Sequence, residues 1–225
     1  MRIDTVLFDF DGTVMDTNRV IINSWQHTFR TLTGAERPVA DIVATFGEIL
    51  HDTAARFFPH VPVEESVEIY RSYHRNNFGP MISVFPGVRE LLAALKERAY
   101  TLAIVTSRLP ATTMEGLEKY GLTAYFDLVV TCEDCTRFKP DPEPVRIALA
   151  KLGKKPEEAL MVGDTRNDIL CARDAGVKSV LVGWTAAVPE GERTGPDAPD
   201  YCIEKAGDLL DILAPASETG PMRLR

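Results

Sequence analysis

Residues 6 to 17, VLFDFDGTVMDT, end an apolar run on two carboxylates one residue apart, Asp9 and Asp11, and follow them at once with Gly12 and Thr13. Two like charges about 4 Å apart repel by roughly 4 kcal/mol at an effective dielectric near 20. A buried strand gains nothing from such a pair, so the arrangement points to chemistry rather than packing. Three more polar groups lie just past apolar runs: Thr106 after TLAIV, Lys139 in the loop after LVVT, and Asp164 after ALMVG. Carboxylates gathered with a cation and a hydroxyl suit an anionic substrate. In a chain of formal net charge -8, such a substrate needs locally arranged cations or a metal.

These groups have to be positioned by the elements that precede them. Short apolar runs at 5–8, 101–105, 128–131, 159–162 and 179–182, with a weaker one at 201–203, read as strands buried on both faces of a parallel sheet. Helical periods lie between them, among them Val88, Leu91, Leu92 and Leu95, then Val145, Ala148, Leu149 and Leu152 with Gly153 as a stop. The alternation predicts a doubly wound α/β fold with right-handed crossovers. Asp9, Thr106, Lys139 and Asp164 then share the C-terminal edge of one sheet, where open α/β proteins bind ligands.

One segment breaks the alternation. From Asp16 to Gly79 no strand is evident, and helical stripes follow one another: Ile21, Ile22, Trp25, Phe29 and Leu32; Ile42, Val43 and Phe46; Ile49, Leu50, Ala54 and Phe57; Val67, Tyr70 and Tyr73. Turn signals fall at Gly34, Gly47, Pro59, Pro62 and the pair Gly79-Pro80. This predicts a small helical bundle, residues 16–82, inserted into a core of residues 1–15 and 83–213. Residues 214–225 read as a frayed tail.

Composition narrows the class. At 225 residues, 45% hydrophobic and 26% charged, the chain is an ordinary globular protein. Its net negative charge argues against nucleic acid or an anionic membrane as partner. No apolar run reaches the roughly 18 residues of a membrane span, and the N-terminus lacks a signal-peptide core, so a cytoplasmic location is expected. The chain is expected to be a monomer or weak homodimer. Cys132 and Cys135 form a C-x-x-C without a second pair and read as incidental small residues, whereas Cys171 and Cys202 read as core packing.

The motifs together resemble those of the haloacid dehalogenase superfamily. Asp9-Phe-Asp11-Gly12-Thr13-Val-Met-Asp16 resembles its first motif, Thr106 in IVTSR the second, Lys139-Pro140 the third, and Gly163-Asp164-Thr-Arg-Asn-Asp168 the fourth. DxDGT alone is moderately specific, whereas a lone Lys-Pro or GDxxxD says little; all four in order on one predicted sheet edge are specific. The insert after the first motif resembles the family's type-one cap, so the resemblance covers nearly the whole chain and implies a Rossmann-like core. It implies that Asp9 attacks phosphorus to form an aspartyl-phosphate, and that Asp11 protonates the leaving oxygen and later deprotonates water. It implies a magnesium ion held by an Asp9 oxygen, the Asp11 backbone carbonyl and Asp164, with Asp168 in support. Lys139 would bridge Asp9 and the phosphoryl oxygens, and Thr106 with backbone amides near Gly12 and Ser107 would hold the rest. The crossings between core and cap, around Met15 to Thr17 and Gly79 to Phe85, would serve as hinges that close water out.

Within the superfamily, dehalogenases lack the second aspartate that Asp11 supplies, and a phosphonatase would place a lysine in the cap, where residues 16–79 contain none. A phosphosugar mutase stays open on motifs alone. TVLFDFDGT, LHDT, KPDPEPV, KPEEALMVGD and Gly183-Trp184 resemble the pyrophosphatase branch, with phosphoglycolate phosphatases as near relatives and the alternative reading. A regulatory protein that keeps the fold without catalysis is disfavoured by the intact Asp9, Asp11, Lys139 and Asp164. Pyrophosphate demands more positive charge than one phosphate, and the candidates are Arg108, His51, Arg56, Arg71, His74 and Arg75, with His51 foremost in the cap.

Overall fold

The computed structural model describes residues 3–185 and 193–214. In chain order the elements are β1 (Thr5–Phe8), β2 (Met15–Asp16), α1 (Asn18–Thr33), α2 (Val39–Val43), α3 (Leu50–Phe57), α4 (Val63–Met81), β3 (Ser83–Val84), α5 (Val88–Glu97), β4 (Thr101–Val105), α6 (Pro110–Lys119), β5 (Leu128–Val130), α7 (Glu143–Leu152), β6 (Ala159–Gly163), α8 (Arg166–Asp174), β7 (Lys178–Val182), β8 (Tyr201–Ile203) and α9 (Asp208–Ile212). The tail, beyond Ala214, lies outside the described residues.

Six strands form one sheet in the order β5-β4-β1-β6-β7-β8, and every pairing in it is parallel. The expected α/β class is the observed one. All four residues of β1 are buried, because alternate side chains feed two different cores. Val6 and Phe8 join Leu102, Ile104, Leu160 and Val162 against α5, α6 and α9. Leu7 joins Ala103, Val105 and Met161 against α7 and α8. A sheet covered on both faces needs the continuous apolar runs read from the sequence. Cys171 is buried, but Cys202, expected in the core, is exposed: the period of two along edge strand β8 turns Ile203 inward and Cys202 out.

Between the two crossings, α1 to α4 enclose a separate cluster around Trp25, Phe29, Ile42, Ala54, Phe58, Val67 and Tyr70. Trp25 centres it, 4.6 Å from the Tyr70 ring and 5.3 Å from Phe57. Gly34 stops α1 in the left-handed conformation, its N–H donating to the Arg30 carbonyl. The predicted turn at Gly79-Pro80 is not one: α4 continues through both to Met81. Proline is tolerable there because it removes one N–H in the last turn, and side chains of α6 and its end serve the exposed carbonyls. Lys119 donates to Gly79 and the Tyr120 hydroxyl to Ile82. The stripe Val67, Tyr70, Tyr73 also shifts, since the long helix buries Val67, Tyr70, His74 and Phe78 instead. A two-residue ribbon absent from the sequence reading, Met15 with Val84 and Asp16 with Ser83, fastens the chain where it leaves and re-enters the core.

Candidate active site

β1 is the switch point of the sheet. The chain passes from it to β4 and β5 on one side and returns to β6 on the other, opening a crevice at the C-terminal edge. Asp9 stands at its mouth, with its backbone N–H donating to Val162 of β6 at 2.9 Å. From the loop after β5, Lys139 reaches back so that Nζ donates to Asp9 Oδ1 at 2.7 Å, Asp168 Oδ1 at 2.6 Å and the Val105 carbonyl at 3.1 Å. These use all three donors of a buried ammonium.

Asp168 is the third residue of α8, in its first turn. Its Oδ2 accepts from the Thr165 hydroxyl at 2.7 Å and the Thr165 N–H at 3.1 Å, a capping box that fixes the helix as well as the lysine. Gly163 permits this approach, since a Cβ there would lie 2.3 Å from Asp168 Cβ. Gly12 does the same on the opposite side: its φ is +71° and an added Cβ would fall 1.9 Å from Asp164 Oδ2. Gly12→Ala is therefore expected to cost about 1–3 kcal/mol through overpacking, read as a lower urea midpoint, and to lower turnover at least tenfold by displacing Asp164. A fully active, equally stable variant would show that the glycine does not hold the two segments together.

Burial pushes the Asp9 carboxyl up to about 7, with Lys139 opposing and Asp168 and Asp11 adding to the rise. Burial likewise raises Asp164 well above the carboxylate range, assisted by Asp168 and Asp9. Lys139 moves the other way from what burial favours: Asp168 and Asp9 outweigh desolvation and hold its pKa above the ordinary lysine value. Oxygens of Asp9, Asp164 and Asp168 lie within 4.8 Å of one another. Asp168 is committed to Lys139 and Thr165, which leaves Asp9 and Asp164 as the available donors. Asp164 Oδ1 is buried and has no hydrogen-bond partner. A buried carboxylate oxygen is costly in that state, and a hard divalent cation is what would satisfy it.

Asp11 is less enclosed. Its Oδ1 accepts from the Thr17 hydroxyl at 2.6 Å and from Arg108 at 2.8 Å. Thr17 lies at the crossing from core to cap, so the sequence reading missed a direct link between that crossing and Asp11; a threonine just before an amphipathic helix carries by itself only the signal of an N-cap. Thr106 is buried, with its hydroxyl accepting from the Arg108 N–H at 3.2 Å, while Ser107 is exposed on the wall.

Core and cap together enclose a cavity of about 410 Å³ that includes Asp9, Asp11, Gly12, Thr106, Ser107, Arg108, Lys139 and Asp164. From the cap come Arg71, His74 and Arg75 of α4 and the loop around Gly47. That loop touches the fourth motif directly: the Asn167 amide donates to the Gly47 carbonyl at 2.7 Å. His51, the foremost cap candidate, is corrected. It is absent from the cavity wall, and its Nε2 lies 3.6 Å from Glu64 on the far side of α3 from Leu50 and Thr53, which do line the cavity. Arg56 is likewise absent from the wall, 2.7 Å from Glu48. His74 is enclosed between Tyr70 and Phe78, and burial, with Arg108, lowers its pKa to about 3, so it is a neutral wall rather than a charge.

The sequence pattern of the haloacid dehalogenase-like hydrolases matches residues 6–182. A protein named pyrophosphatase PpaX from Halalkalibacterium halodurans is 39% identical over 213 residues, covering 95% of this chain and 98% of that one. The PpaX of a Bacillus cereus strain is 39% identical over 217 residues, with the same coverage of 95% and 98%. Among solved structures, a haloacid dehalogenase-like hydrolase from Streptococcus pneumoniae superposes with a TM-score of 0.83 at 25% identity, covering 94% of this chain and 99% of that one.

Proposed function

The chain belongs to the haloacid dehalogenase-like hydrolase family, and from that premise we propose that it is a magnesium-dependent phosphatase that hydrolyses inorganic pyrophosphate to two phosphates. The observation that carries the catalytic part is Asp9 held by Lys139 at the mouth of a cavity it shares with Asp11. The names of the relatives support the substrate.

In this reading an Asp9 carboxylate oxygen attacks one phosphorus, and the bond to the bridging oxygen breaks. The departing phosphate takes a proton from Asp11, leaving an aspartyl-phosphate. Water then gives a proton to Asp11 and attacks that phosphorus, and the bond to Asp9 breaks, so that one pyrophosphate and one water yield two phosphates and the starting enzyme. Lys139 opposes the rise that burial imposes on the Asp9 pKa and so favours the carboxylate, and Asp168 keeps Lys139 aimed. The Thr106 and Ser107 hydroxyls and the backbone amides near Gly12 and Ser107 hold the phosphoryl oxygens. Asp9 and Asp164 would hold magnesium, which would supply charge neutralisation for those oxygens. The cap, whose loop at Gly47 meets Asn167, excludes water other than the attacking one.

The test is phosphate release with magnesium, offering pyrophosphate and phosphoglycolate side by side at matched concentrations. Pyrophosphate is expected to be preferred, and EDTA to abolish turnover. In calorimetry, magnesium is expected to bind the wild type and not Asp164→Asn. Preference for phosphoglycolate would overturn the substrate assignment, and undiminished turnover in EDTA would overturn the metal.

A further inference from the structure

Among the described residues four cations line the cavity, and they differ in what already occupies them. Lys139 is saturated by Asp9, Asp168 and Val105. Arg75 is paired with Glu68 at 3.0 Å and is largely in solvent. Arg108 is nine-tenths buried, its side chain 10% exposed. Its guanidinium lies 4.6 Å from the ring centre of Phe78 in the cap and 5.5 Å from that of Phe10 in the core. One of its arms holds Asp11, but Nε is buried with no acceptor. Arg71, on the same stripe of α4 as Tyr70, His74 and Arg75, has no carboxylate or carbonyl partner among the described residues.

A buried N–H without an acceptor is destabilising, and the Arg71 guanidinium stands on the cavity wall without a counter-ion among the described residues. Both point to the same missing partner, an anion inside the cavity. The reacting phosphoryl group is not that anion, because it sits against Asp9, where Lys139, Thr106 and the Gly12 loop are. Arg108 instead touches Asp11, the residue that protonates the departing oxygen. Its guanidinium therefore lies on the leaving-group side. The flat, forked donor suits a phosphate or carboxylate there.

We infer that Arg108 of the core and Arg71 of the cap form a receptor for a negatively charged leaving group, so that the enzyme selects phosphates whose departing half is itself an anion. This rests on the catalytic reading above, in which Asp11 faces the leaving oxygen. It extends that reading from one substrate to a class, since pyrophosphate and phosphoglycolate both qualify and an aryl or alkyl phosphate with a neutral leaving group does not. Arg108 stacks on Phe78, so an anion that draws the guanidinium also braces the cap against the core.

The experiment compares kcat/KM for pyrophosphate, phosphoglycolate and phenyl phosphate in the wild type, Arg71→Met and Arg71→Lys. The wild type is expected to favour the two anionic-leaving-group substrates at least a hundredfold over phenyl phosphate. Arg71→Met is expected to cut that preference at least tenfold, mainly through KM, and Arg71→Lys to restore part of it. As a binding readout, methylenediphosphonate is expected to bind Asp9→Asn at least tenfold more tightly than Asp9→Asn/Arg71→Met. A uniform loss on all three substrates, or a preference unchanged in Arg71→Met, would overturn the receptor. Wild type preferring phosphoglycolate to pyrophosphate, with both lost relative to phenyl phosphate in Arg71→Met, would retain the receptor while the pyrophosphatase assignment falls. Preference for pyrophosphate with selectivity indifferent to Arg71 would do the reverse.

Discussion

Asp9→Asn is expected to fold and to lose at least about a thousandfold in turnover, because the carboxylate that would attack phosphorus is replaced by an amide of the same shape. The stability of that variant is as informative as its inactivity. Asp9 is buried with a pKa raised to about 7, so in the absence of metal the folded protein holds a proton that the unfolded chain releases near the ordinary carboxylate value. The resulting stabilisation is complete below the unfolded pKa and is lost as pH rises through about 7. In EDTA, the wild type is expected to lose thermal stability between pH 5 and 8, and Asp9→Asn to lose less over the same range. Retained turnover would remove Asp9 from the mechanism. Parallel stability profiles would show that its ionisation is not linked to folding.

Lys139→Met is expected to be the most destabilising single change at the site. The ammonium stands between two buried carboxylates, 2.7 Å from Asp9 and 2.6 Å from Asp168. Removing one partner of a buried ion pair leaves uncompensated charge, typically a loss of about 3–5 kcal/mol. The deficit is expected in urea unfolding at pH 8 and to shrink at pH 5, where Asp9 is protonated. Turnover is expected to fall as well, since in the proposed mechanism Asp9 loses the cation that orients it and favours its carboxylate. A loss below about 1 kcal/mol at pH 8 would mean that the carboxylates are already neutral there and that Lys139 is not what holds them.

The core and its motifs were legible because each depends on few residues close in sequence. A strand buried on both faces is an apolar run, and a catalytic group follows it by one or several residues. The cap was legible as helices but not as a surface. Which of His51, Arg56, Arg71 and His74 faces the site depends on the rotation of α3 and α4 about their axes, set by packing around Trp25 and Phe57 rather than by spacing. The same limit hid the reach of α4 past Pro80, since the carbonyls it leaves are served by Lys119 and Tyr120, some 40 residues away in the chain. The link from Thr17 to Asp11 was hidden for the converse reason: a threonine before a helix has an ordinary explanation that conceals a second one.

The central place of β1 has a consequence for how the protein is made. Thr5 pairs with Thr101 on one side and with Ala159 on the other. The ribosome therefore releases the middle of the sheet first, then the whole cap, and only afterwards a neighbour for the opening strand. Throughout that interval VLFDF is an apolar segment with two unpaired edges, the kind of exposed template that promotes aggregation. The cap, continuous in sequence and with its own aromatic centre, can condense meanwhile, whereas the hydrolytic centre cannot exist until β6 has emerged, because Asp164 and Asp168 arrive only then.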